Sequence, residues 1–109
     1  MYARINLIKI KEGSKEKAMA MMSEEIIPSY EDTEGLLSMG AIMCDETTGL
    51  NISIWADEAS STATESNLQS NIEKGVEILD GAPEIYRGDL ALGAVYEDRP
   101  AGEGEGAFA

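Results

Sequence analysis

The strongest structural signal in the sequence is the alternation of side chains along residues 50–56, LNISIWA. Successive side chains of a strand point to opposite faces, so one face collects Leu50, Ile52 and Ile54. The other face collects Asn51, Ser53 and Trp55. This is the clearest strand of the chain, and the remaining elements are assigned around it.

Five further segments have the period of a strand or a helix. They are a strand at 2–11, a helix at 14–27, a strand at 36–44, a helix at 57–79 and a last strand at 84–96. Ser14 and Asp57 are placed to cap the two helices. Pro28 lacks a backbone donor and predicts a kink or an end of the first helix. The link 45–49, DETTG, predicts a hairpin between the second and third strands.

The order of these elements, β-α-β-β-α-β, predicts an α+β fold of the ferredoxin-like type, with two helices on one face of an antiparallel sheet. Strands one and three are then neighbours at the sheet centre. A chain of 109 residues has room for one domain, which we place at residues 1–98. The segment 99–109 is rich in glycine and glutamate, and we expect this tail to be disordered.

The sheet face without helices is expected to be apolar. It would carry four aliphatic side chains, Ile5, Leu7, Ile52 and Ile54. An apolar sheet face is unstable in water unless something covers it. The sequence therefore predicts a homodimer in which a second copy covers this face.

The composition excludes several classes of partner. Acidic residues number 21 and basic residues 8, and the resulting net charge of −13 disfavours binding to nucleic acids and anionic membranes. No apolar run reaches the roughly 18 residues of a membrane-spanning helix. The N-terminal residues lack the pattern of a signal peptide, so we expect a cytoplasmic protein.

Few residues in this sequence can carry catalytic chemistry. There is no histidine, and no metal-ligand cluster, phosphate-binding loop or dinucleotide-binding glycine motif is present. Cys44 is the single cysteine, so no internal disulfide forms, and we expect a small, buried apolar residue there. The sequence therefore predicts neither a metal nor a cofactor.

One polar group lies on the side of the sheet that should face the helices. Arg4 and Asn6 share that face of the first strand, and Asn51, Ser53 and Trp55 share it on the third. Buried polar side chains need hydrogen-bond partners or a ligand. Two interpretations stay open. The group either binds a ligand, or Asn6 bonds a helix backbone, Trp55 is ordinary core, and Arg4 and Asn51 reach the rim.

The chain also resembles the antibiotic biosynthesis monooxygenase family over roughly residues 2–96. The resemblance lies in three segments, the opening ARINLIKIKEGSKEK, the helix end EEIIPSYEDTEG and the strand-to-helix passage ISIWADEAS. It implies a dimeric α+β barrel.

Two branches of that superfamily suggest different chemistry. The heme-degrading members have an asparagine and a tryptophan that correspond to Asn6 and Trp55, but their heme-ligating histidine has no counterpart here. The cofactor-free members oxidise aromatic substrates with dioxygen. Resemblance to these implies that Asn6 and Trp55 orient substrate or dioxygen by hydrogen bonds, and that Arg4 stabilises an enolate or phenolate.

The candidate substrate-binding residues are Arg4, Asn6, Met19, Met22, Tyr30, Trp55 and Arg87. Three functions are compatible with them. A cofactor-independent monooxygenase, or a binding protein without turnover, requires an apolar pocket of drug-like size between helices and sheet. A purely structural dimerisation module requires a filled core instead.

Overall fold

A computed structural model describes residues 1–94 and shows one four-stranded antiparallel sheet with helices packed on one face. The elements are β1 (Tyr2–Lys9), α1 (Lys15–Met21), β2 (Leu36–Met43), β3 (Thr48–Trp55), α2 (Glu58–Thr62), α3 (Glu65–Lys74) and β4 (Glu84–Asp89). The strand order is β2-β3-β1-β4. Strands one and three are central, and the ferredoxin-like prediction is confirmed.

The register of the central strands determines which side chains share the helix-facing surface. Arg4 pairs with Ser53, and Asn6 pairs with Asn51 across β1 and β3. Cross-strand partners point to the same face of an antiparallel sheet. The polar group predicted from alternation therefore does lie on one face.

The first helix changes geometry before it ends. After α1, residues Met22–Ile26 form a π-helical turn, in which the Ile27 amide donates to the Met22 carbonyl at 2.9 Å. Pro28 then opens a 3₁₀ turn, Pro28–Tyr30. The prediction of a break near Pro28 holds, because proline has no N–H to continue the regular pattern. Ser14 occupies the N-cap position, but its hydroxyl makes no capping bond.

The second predicted helix, 57–79, is two shorter helices. Asp57 caps α2 by accepting from the Ser60 amide at 2.8 Å, and this bond lowers the pKa of its carboxyl. The helix is interrupted at Thr64, whose hydroxyl donates to the Ser61 carbonyl at 2.8 Å instead of capping α3. Such side-chain bonds to a preceding carbonyl compete with regular helix. The second helix of the pair ends at Lys74, with Gly75 as its C-cap.

Two further predictions need correction. The last strand ends at Asp89, so the prediction of a strand to residue 96 is too long over 90–94. Residues 95 and 96 of the predicted strand lie outside the described residues. The predicted domain end at 98 and the tail 99–109 lie outside them as well. Cys44 is exposed, because it lies just beyond β2 in the hairpin to β3, past the cover of the helices. Within residues 1–94, no helix is long and apolar enough to cross a membrane.

Gly35 joins the two halves of the fold. Its carbonyl accepts from the Ala56 amide at 2.8 Å, which links the start of β2 to the end of β3. Its φ is 82°, and a Cβ at this position would collide with the side chain of Ser60 in α2. Both the left-handed backbone and the close approach of α2 therefore require glycine here.

We predict that Gly35→Ala destabilises the protein more than Gly13→Ala does. Gly13 has the same backbone conformation, at φ 83°, with nothing within 4 Å of its missing Cβ. The control should lose about 1–2 kcal/mol from backbone strain alone. Gly35→Ala should lose about 1–3 kcal/mol more from overpacking against Ser60. Denaturant unfolding at one protein concentration measures the difference, and equal losses would contradict the packing argument.

Candidate functional site

A cavity lies between the helix-facing side of the sheet and the helical layer. Its volume is about 110 Å³, and β1, β2 and β3 form its floor, while α1, the π-helical turn and α3 cover it. Drug-sized pockets have volumes of roughly 300–1,000 Å³. A cavity of roughly 150 Å³ accommodates a benzene molecule. The site is therefore smaller than the sequence predicts, and its size limits a ligand to about a single ring or a short chain.

Methionine side chains make up much of the apolar wall. Five of the six methionines of the chain line the cavity: Met19, Met21, Met22, Met39 and Met43. Met19 is 46% exposed and lies at the rim. Methionine is unbranched and polarisable, so such a wall adapts to ligands of different shape.

Trp55 is fully buried and forms an aromatic wall with Tyr30. The two rings are edge to face, with centroids 6.4 Å apart and planes at 74°. The indole N–H of Trp55 donates to the Ser53 hydroxyl at 2.9 Å. Since that donor is already paired, Trp55 presents its ring, rather than a hydrogen bond, to a ligand in this arrangement.

Arg4 is the buried cation of the site. Its side chain is 3% exposed, and its guanidinium carbon lies 5.1 Å from the centroid of the Trp55 ring. It donates to the Thr64 hydroxyl at 3.3 Å and the Tyr30 hydroxyl at 3.5 Å, while its Nε has no partner. No carboxylate among residues 1–94 forms an ion pair with it. The interpretation that Arg4 reaches the rim is therefore wrong.

Arg87 lies outside the cavity although it is directly opposite Arg4 across β1 and β4. Its guanidinium binds both carboxylate oxygens of Glu65, at 3.1 and 2.9 Å. Its side chain is 37% exposed. The structure thus brings six of the seven predicted binding residues to the cavity wall and places Arg87 in a structural ion pair beside it.

Three carboxamides add polarity to the wall. Asn6 and Asn51 lie opposite each other across β1 and β3 on the floor of the cavity. The buried Oδ1 of Asn6 has no hydrogen-bond partner among the described residues. The interpretation that Asn6 bonds a helix backbone therefore fails for that oxygen. Asn71 on α3 is 6% exposed, lines the cavity, and also has an unpaired Oδ1. Asn71 is not among the predicted residues, although its position between Leu68 and Ile72 on the inward face of the helix indicates it.

The ionisable side chains that line the cavity, within the described part of the chain, are those of Arg4 and Tyr30. Residues 1–94 also contain no group of three or more carboxylates or cysteines that could hold a metal ion. The wall can therefore bind, orient and provide positive charge. A proton taken from a ligand would go to water.

Comparison with known proteins identifies the fold. No family model and no curated protein matches this sequence. A solved protein of unknown function from Nitrosomonas europaea superposes with a TM-score of 0.72 at 20% identity, covering 93% of this chain and 95% of the other. A monooxygenase of Streptomyces coelicolor, solved with the ligand nanaomycin D, superposes with a TM-score of 0.70 at 14% identity, with 89% and 92% covered.

A third similar structure is a Chloroflexus aurantiacus protein named as a candidate antibiotic biosynthesis monooxygenase. It has a TM-score of 0.67 and 18% identity, and the match covers 86% of this chain and 96% of the other. Identities this low establish the fold alone. The chain therefore has the α+β fold of the antibiotic biosynthesis monooxygenases.

Proposed function

We propose that this protein binds a small apolar, aromatic or acyl-chain molecule in the cavity and oxidises it with dioxygen without a cofactor. The observation that supports this most is the buried guanidinium of Arg4, which lies on an aromatic wall inside a methionine-lined cavity. A fixed positive charge in a site of low polarity stabilises a substrate anion strongly. The fold shared with proteins named as monooxygenases agrees with this proposal.

The residues have distinct roles in such a reaction. An electron-rich phenol loses its proton to water, and Arg4 stabilises the resulting phenolate. Tyr30 and Trp55 hold the ring, and Asn6 orients the substrate or dioxygen. The ring then donates electrons to dioxygen. One oxygen atom bonds to a ring carbon and the other leaves as water, so phenol and dioxygen give quinone and water.

Binding without turnover is the second candidate function. It is favoured by the absence of a carboxylate, lysine or cysteine among the described residues of the cavity wall, since each could serve as a general base. A purely structural module is less well supported, because it requires a filled core and the structure has a cavity.

The sheet face opposite the helices supports the proposal of a homodimer. Ile5 and Ile52 are paired at its centre, and the edge strands add Ile42 and Tyr86, which are 47% and 57% exposed. Covering these side chains with the same face of a second copy would remove them from water.

We predict that the protein accelerates oxidation of at least one electron-rich phenol and inserts one atom of labelled dioxygen into the product. Arg4→Met should lower the rate by about 100-fold, because it removes the charge that stabilises the phenolate. Lys74→Met, at the exposed end of α3, is the control and should match the wild type. Oxygen uptake and product mass measure both effects. Ligand binding with no rate above buffer would favour the second candidate function.

We predict that the wild type elutes at twice its chain mass of 11.7 kDa and that Ile5→Glu is monomeric. A carboxylate in the apolar centre of the face would be desolvated on pairing. Val76→Glu is the matched control, because Val76 is 63% exposed and follows α3, away from the sheet face. Light scattering after size-exclusion chromatography gives the masses. A monomeric wild type, or equal effects of the two substitutions, would contradict the proposal.

A further inference from the structure

The charges around Arg4 do not balance. Arg4 and Arg87 are cross-strand partners, and like charges in that position repel. Arg87 is neutralised by Glu65, since it binds both carboxylate oxygens of that residue. Arg4 has no carboxylate partner among the described residues, so the unneutralised charge is the one that is 97% buried within the cavity wall.

A neutral ligand would make this imbalance worse. Closing the cavity with an apolar molecule removes the remaining water from Arg4 and provides no opposite charge. An anion gives the guanidinium a charge-assisted partner, and the Nε that now lacks one is a donor for it. The site thus favours a ligand that is already negative when it binds, and not only during a reaction.

A second polar position faces the same cavity from α3. The hydroxyl of Ser29 donates to the Ile26 carbonyl at 2.6 Å, so it can only accept from Asn71. The Asn71 amide nitrogen therefore faces Ser29, at 3.3 Å, and its Oδ1 is left as a free, buried acceptor. This oxygen needs a donor that no described residue provides.

The two polar positions are connected through one turn of the chain. Asn71 bonds Ser29, and Arg4 bonds the next residue, Tyr30. Adjacent Cα atoms are about 3.8 Å apart. The two positions are therefore held by consecutive residues of one 3₁₀ turn, and both line the cavity of about 110 Å³.

We propose that the ligand of this site is a small organic acid, ionised at neutral pH, that also bears an O–H or N–H group, as a hydroxyaryl carboxylate does. The negative group binds Arg4 beside Trp55 and Tyr30, and the donor group binds Oδ1 of Asn71, with Asn6 on the floor as a second acceptor. This inference rests on the binding step of the proposed function, because it uses the same cavity, and it specifies the chemical class of the ligand; the negative group at Arg4 is then the carboxylate and not a phenolate.

The single tryptophan of the chain reports binding directly, because its ring contacts Arg4. Its indole N–H gives one resonance in a ¹⁵N-correlated NMR spectrum, and titration of that resonance measures affinity. Four probes of nearly equal shape separate charge from donor. These are 4-hydroxybenzoate, 4-methylbenzoate, 4-hydroxybenzamide and 4-methylbenzamide.

We expect each carboxylate to bind at least about tenfold more tightly than its amide, because a hydrogen bond to a charged group contributes this much affinity. Each hydroxyl compound should bind about fivefold more tightly than its methyl analogue. Arg4→Met should abolish the preference for carboxylates over amides, and Arg4→Lys should restore part of it. Leucine has a shape similar to that of asparagine. Asn71→Leu should therefore abolish the preference for hydroxyl over methyl compounds and leave the preference for carboxylates unchanged.

The outcomes separate this inference from the proposed function. If all four probes bind equally, the cavity binds small apolar molecules and the acid inference is wrong. If the amides bind more tightly than the carboxylates, the inference is wrong as well. If no probe shifts the Trp55 resonance, both the inference and the proposed binding function are overturned.

Discussion

The buried side chain of Arg4, which lies over Trp55 and bonds Tyr30 and Thr64, connects the sheet to the helical layer. The guanidinium extends from β1, lies over the ring of β3, and donates to Tyr30 after α1 and to Thr64 at the start of α3. A desolvated cation–π contact contributes about 2 kcal/mol, and hydrogen bonds from a charged group add to this. One side chain thereby fixes the position of both helical segments relative to the floor of the cavity.

This arrangement depends on how the acidic residues are distributed. The chain has a net charge of −13, yet none of the carboxylates in residues 1–94 pairs with Arg4. Surface charges are screened over a Debye length of about 8 Å in physiological salt. The acidic surface therefore acts weakly on the interior, where local contacts to Arg4 dominate. Glu65, which lies on the helix that covers the cavity, pairs with Arg87 instead.

The fold and part of the site follow from the sequence by simple physical rules. Alternation in β1 and β3 assigns Arg4, Asn6 and Trp55 to one face, and the register confirms it. Alternation gives the face of a side chain but not its depth, so it could not show that Arg4 is buried. The ion pair of Arg87 was not predictable either, since it depends on where α3 begins, and that position is set by the Thr64 hydroxyl.

The first helix and the floor of the cavity differ in how firmly they are held. Neither α1 nor the π-helical turn after it contains a buried residue, whereas β1 is hydrogen-bonded on both sides. Segments with few buried contacts open at lower free energy than central strands. Amide hydrogens of residues 15–26 therefore exchange with solvent faster than those of β1. The first helix is thus the part of the cavity wall that opens at the lower free energy, and the strands that carry Arg4 and Trp55 form its rigid part.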